Sequence, residues 1–164
     1  MDAVILFSHG SLLCGSGEAL KTHAVNLQER GIAPIVQVGY LNYSEPLFSE
    51  TVERCAAAGA TRIMVAPYFL VPGYFVKVDL PKAVDAARKM HPEMQFVVAE
   101  PIGFDERLAD ALIDSAASAS EIETWRDDLK NASLHCLANP LCPLYGTVDC
   151  PSQAIPVGSA KEAE

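Results

Sequence analysis

Short apolar runs alternate with amphipathic stretches along this chain. Val4-Ile5-Leu6-Phe7-Ser8 carries no charge, the pattern of a strand covered on both faces. From about Gly17 to Arg30, Leu20, Ala24 and Leu27 fall on one helical stripe that Gly31 stops. Residues 34–41, with Ile35, Val36 and Val38, predict a second strand. Asn42 or Ser44 is expected to cap a second helix, with Glu45 and Pro46 in its first turn. Phe48, Val52 and Cys55 form that helix's buried stripe, and Gly59 ends it. Residues 62–70 predict a third strand. Asp79 is expected to cap a third helix, with Pro81 in its first turn and Ala83, Val84 and Ala87 leading to Met90. Residues 94–99 predict a fourth strand, and a last helix starts near Asp105, prolonged by Ile122, Trp125 and Leu129.

This order implies right-handed crossovers and a parallel sheet with helices on both faces, an α/β fold. From about Asn131 the periodicity dissolves into Pro-, Gly- and Cys-containing sequence with a polar end. Residues 1–130 therefore read as one α/β domain and residues 131–164 as an irregular, Cys-containing extension.

A chain of 164 residues, half of them hydrophobic, suits one folded domain with a short appendage. Its net charge of -9 argues against nucleic acid as a partner, because phosphate binding needs clustered cations. No apolar stretch approaches the length of a membrane span, and Asp2 stands where a leader would be basic. Five cysteines, an odd number with no secretion signal, predict a reduced, cytoplasmic protein.

The chemistry concentrates where strands end, which is where crevices form in such sheets. The first strand runs into His9-Gly10-Ser11. An imidazole binds metals and takes protons near neutral pH, although a hydrogen-bonded turn histidine fits the pattern too. Glu45 follows the second strand, either as an acidic site group or as a helix-dipole partner. The third leads into an aromatic, apolar loop, Pro67 to Pro81, suited to a flat hydrophobic ligand, to buried packing or to a dimer contact. Gly15-Ser16-Gly17 lacks the third glycine of a dinucleotide loop, so no nucleotide is expected. His23 and His91 read as surface or capping residues, and Cys14 and Cys55 as small buried ones. Near the end, His135, Cys136, Cys142 and Cys150 offer ligands for zinc or an iron–sulfur cluster. Their spacing matches no compact knuckle, which leaves reduced thiols or a disulfide open.

His9-Gly10-Ser11, Glu45-Pro46, the turn Gly59-Ala60 into Arg62-Ile63, and Val76-Lys77-Val78-Asp79-Leu80-Pro81 follow one order and spacing. Together they resemble the short sirohydrochlorin chelatases, the CbiX/SirB family of class II chelatases. The resemblance implies a three-layer α/β/α fold around a mainly parallel four-stranded sheet. It implies ATP-independent insertion of cobalt, iron or nickel into sirohydrochlorin or a related tetrapyrrole, and a homodimer. It places His9 and Glu45 as catalytic and metal-binding groups, with Ser11, Tyr74, Phe75 and Lys77 against the substrate. Lys77 is either a contact to the substrate's carboxylates or a solvated helix-start lysine. The family's second histidine falls on Phe75 here, and its usual arginine on Val78. Phenylalanine binds neither metal nor proton, so the alternative to an enzyme is a tetrapyrrole or metal carrier of the same fold.

Overall fold

Asp2–Ser8 (β1) lies between Ile35–Tyr40 (β2) and Arg62–Pro67 (β3), and Gln95–Val98 (β4) completes a four-stranded sheet of order β2-β1-β3-β4. This computed structural model describes residues 1–13, 15–120, 136, 138–148, 150 and 152. All pairings are parallel, with Val4 opposite Val36 on one side and Met64 on the other. The helices are Glu18–Glu29 (α1), Phe48–Ala57 (α2), Leu80–Met90 (α3) and Glu106–Ala117 (α4).

The chain steps from β1 outward to β2, then crosses back over β1 to reach β3. Crossovers of one hand in opposite directions put their helices on opposite faces. Two cores result. Ala3, Ile5 and Phe7 meet residues of α2 and α3 on one face, while Val4 and Leu6 meet Leu20 and Ala24 of α1 on the other. The alternation along β1 is thus split between two buried faces, and each large apolar side chain buried there contributes about 1.5–3 kcal/mol. The reversal also makes the gap between β1 and β3 a topological switch point, where the loops after the two strands diverge.

Four expectations need correction. Glu45 and Pro46 precede the second helix, which begins at Phe48. The N–H of Tyr40, on the outer strand, donates to Pro46 O at 3.0 Å and holds this stretch extended. Neither Asn42 nor Ser44 caps α2. Glu50 accepts from the N–H of Leu47 at 3.0 Å, and Ser44 is bound elsewhere. The third strand ends at Pro67, because the carbonyls of Phe69 and Leu70 turn to the N–H groups of Ile102 and Gly103. Finally, Asp79 caps nothing. It sits in continuous helical backbone at the end of a π-helical turn, Phe75–Asp79, that feeds α3. In a regular helix the ring of Pro81 would press on the carbonyl of Lys77, and the wider turn relieves that contact.

Asp105 does cap α4, accepting from the N–H of Arg107 at 2.9 Å. The continuation through Ile122, Trp125 and Leu129 lies outside the described residues, as do Cys14 and His135. Among the described residues, no helix is long and apolar enough to cross a membrane.

Candidate active site

His9 leaves the end of β1 beside the switch point and is exposed. Its ring lies against Phe75, with centroids 5.4 Å apart and planes 15° apart, and against Phe69 at 5.9 Å. Phe69 touches Phe7 in turn, at 6.2 Å. The strand period of two explains the alignment: Phe7 and His9 share one face, as do Pro67 and Phe69. Neither ring nitrogen of His9 has a hydrogen-bond partner among the described residues, so the ring is placed by packing while both nitrogens stay available. An imidazole so held can take a proton or a first-row metal ion.

Gly10 lets the loop after β2 close on this strand end. Its φ is +86°, and a Cβ there would sit 1.7 Å from the carbonyl oxygen of Asn42. The N–H of Asn42 donates to His9 O at 3.2 Å. One residue further on, the N–H of Ser11 donates to Ser44 Oγ at 2.9 Å, and that hydroxyl donates back to Ser11 O at 3.2 Å. Ser11 Oγ accepts from the N–H of Leu13 at 3.1 Å. Ser11 therefore ties the Glu45 loop to the His9 loop.

Glu45 is exposed and lines a cavity of about 370 Å³ together with Ser11, Tyr43, Lys21 and Arg54. His9 and Phe75 do not line it. The sequence-predicted residues thus fall into two neighbouring groups, His9 with Phe75 on the aromatic side and Glu45 with Ser11 on the cavity side. Tyr74 and Lys77 are exposed at the start of the π-helical turn, and the N–H of Lys77 donates to Gly73 O at 2.9 Å.

Cys136, Cys142 and Cys150 form another wall of the same cavity. Ser152 Oγ donates to Cys136 Sγ at 3.0 Å and lies 3.2 Å from Cys150 Sγ. Among the described residues, no three His, Cys, Asp or Glu side chains form a group able to hold a metal ion. Cys55 is a different case, since burial pushes its thiol up to about 11 and keeps it protonated. Sequence reasoning missed Phe69, Lys21 and Arg54. Phe69 was discoverable from the period of two; the two cations look like any solvated helix residues.

The CbiX family model matches residues 3–119. The chain belongs to the CbiX family. A sirohydrochlorin cobaltochelatase of Methanocaldococcus jannaschii is 32% identical over 140 residues, covering 71% of this chain and 98% of that protein. A sirohydrochlorin ferrochelatase of Priestia megaterium is 29% identical over 114 residues, 70% of this chain and 43% of that one. In fold, the chain is similar to the sirohydrochlorin chelatase SirB from Bacillus subtilis in complex with cobalt. The TM-score is 0.66 at 23% identity, over 82% of this chain and 61% of SirB. The CbiX match stops at Ala119, so the cysteine-bearing wall of the cavity lies outside the matched residues.

Proposed function

We propose that this chain inserts a divalent metal ion, cobalt, iron or nickel, into sirohydrochlorin without a nucleotide. One observation carries the reading: at the switch point of a CbiX fold, His9 lies on an aromatic floor with both ring nitrogens unbonded to described residues. Metallation exchanges two pyrrolic protons for one cation. His9 receives a proton from the macrocycle and, being exposed, passes it to water before taking the next. Phe69 and Phe75 offer flat apolar surface beside the ring. Glu45, on the adjoining loop, supplies negative charge for the incoming cation. The experiment is anaerobic incubation of the protein with sirohydrochlorin and each metal, followed by absorbance. Insertion above the protein-free background supports the reading, and none with any of the three metals rejects it.

A second reading, a non-catalytic tetrapyrrole carrier, is favoured by Phe75 at the position where the resemblance expects another histidine. Tight macrocycle binding without metallation would select it. The tail thiols Cys136, Cys142 and Cys150 wall the cavity that Glu45 lines. The reading also includes a cytoplasmic homodimer. Exposed Leu70, Val71, Tyr74 and Phe104 at one end of the sheet support self-association.

A further inference from the structure

The cavity that Glu45 lines also carries cations that neither the aromatic floor nor metal insertion uses. It brings Arg54 from α2 and Lys21 from α1 to one concave surface, alongside the carboxylates of Glu18 and Glu45. Lys21 is engaged by Glu18 at 2.8 Å, whereas the Arg54 side chain has no partner among the described residues. The chain's net charge is -9, so any polyanionic ligand is repelled at long range and needs local cations to dock. A guanidinium without a partner, in a concavity, is the side chain best shaped to take a carboxylate through two parallel hydrogen bonds. Asn139 adds a donor, because its Oδ1 already accepts from the N–H of Leu141 at 2.9 Å and its amide nitrogen remains to be used.

Size decides what enters. At about 370 Å³ the cavity lies near the lower end of the roughly 300–1,000 Å³ of pockets that enclose a drug-sized ligand. A tetrapyrrole is larger than that, but a carboxylate-bearing side arm fits. We propose that this cavity receives a carboxylate arm from the rim of the macrocycle, anchored by Arg54 and walled by Cys136, Asn139, Cys142 and Cys150. The proposal rests on the chelatase reading and names the part of the substrate recognised outside the metallation centre. Those wall residues lie beyond residues 3–119, the part of the chain that the CbiX family model matches.

The test uses the full chain and two readouts: steady-state metallation, and titration of metal-free sirohydrochlorin followed by absorbance. Arg54→Gln raises the macrocycle's Kd and KM about tenfold, as expected for losing one charge-assisted pair at an exposed site. Arg54→Lys recovers part of that loss, and Ser16→Phe, which fills the cavity without changing charge, weakens binding as well. Lys89→Gln removes a cation from α3 outside the cavity and leaves Kd unchanged. The methyl ester of the macrocycle binds all of these forms alike. Equal weakening by Arg54→Gln and Lys89→Gln, or unchanged Kd in both Arg54→Gln and Ser16→Phe, overturns the proposal while metallation still upholds the chelatase. Binding that depends on Arg54 without metallation upholds the arm site and rejects the enzyme.

Discussion

The imidazole of His9 and the ring of Phe75 lie nearly parallel, 5.4 Å apart. On the chelatase reading proposed above, an imidazole and an inert ring thus stand where the resemblance expects two histidines. On that reading, proton removal falls to His9. General-base assistance is typically worth about 10²–10⁴ in rate. His9→Ala is therefore expected to bring metallation down by about a hundredfold or more with an unchanged circular dichroism spectrum. Phe75→His should raise kcat, since the new ring starts beside His9. Rapid insertion by the natural chain that does not respond to Phe75→His would show that one histidine suffices.

A second expectation concerns Gly10. Its left-handed backbone and its approach to Asn42 leave no room for a Cβ. Gly10→Ala must open the junction that ties the Glu45 loop to the His9 loop. The cost is expected at about 2–4 kcal/mol, measurable by urea unfolding. In protein that remains folded, insertion should fall as well. A variant with wild-type stability would mean that the two loops are not locked together at this point.

How much of this was legible in the sequence differs element by element. The strand at residues 2–8 was readable because both its faces are buried, so its apolar run has no competing period. The start of α2 was not. Ser44, Glu45 and Pro46 have the composition of a first turn, yet the Tyr40 N–H captures Pro46 O and Ser44 is spent on Ser11. The turn at residues 75–79 was hidden for a similar reason, since a π-helical turn leaves no period in so short a stretch. His9 stood out by its place after a strand. The grouping of Arg54 with Cys142 was invisible, because no local pattern records contacts between residues so far apart in the chain.

His91 provides a pH test away from the site. It joins the end of α3 to α2, with Nε2 2.9 Å from Glu53 and Nδ1 3.5 Å from Glu93. The hydrogen bond to Glu53 raises its pKa above the ordinary 6.5. Because the folded value is raised, the stabilisation is fully present below the unfolded pKa and is lost as pH rises through the folded one. Melting temperatures of the natural chain and His91→Gln should differ most at about pH 5.5, roughly one unit below the ordinary histidine value, and converge towards about pH 8.5, roughly two units above it. A gap that widens with pH would contradict the ion-pair account.

The last expectation separates the tail's place in folding from its place at the cavity. Among the described residues, neither core cluster contains one beyond Phe96, and the CbiX match stops at Ala119. Removing residues 121–164 is therefore expected to leave a cooperative melt, within about 4 °C of the full chain, since the described core clusters are built from residues 3–96. The cavity, however, loses Cys136, Asn139, Cys142 and Cys150. If those residues only decorate the surface, the truncated protein binds the macrocycle as the full chain does. If they wall the arm pocket, Kd rises in the truncated protein, and Arg54→Gln costs less there than in the full chain because its enclosure is already gone. Comparing the two Arg54→Gln penalties measures that coupling directly, by the logic of a double-mutant cycle. A truncation that no longer melts cooperatively would place the extension within the folding unit and merge the two regions into one domain.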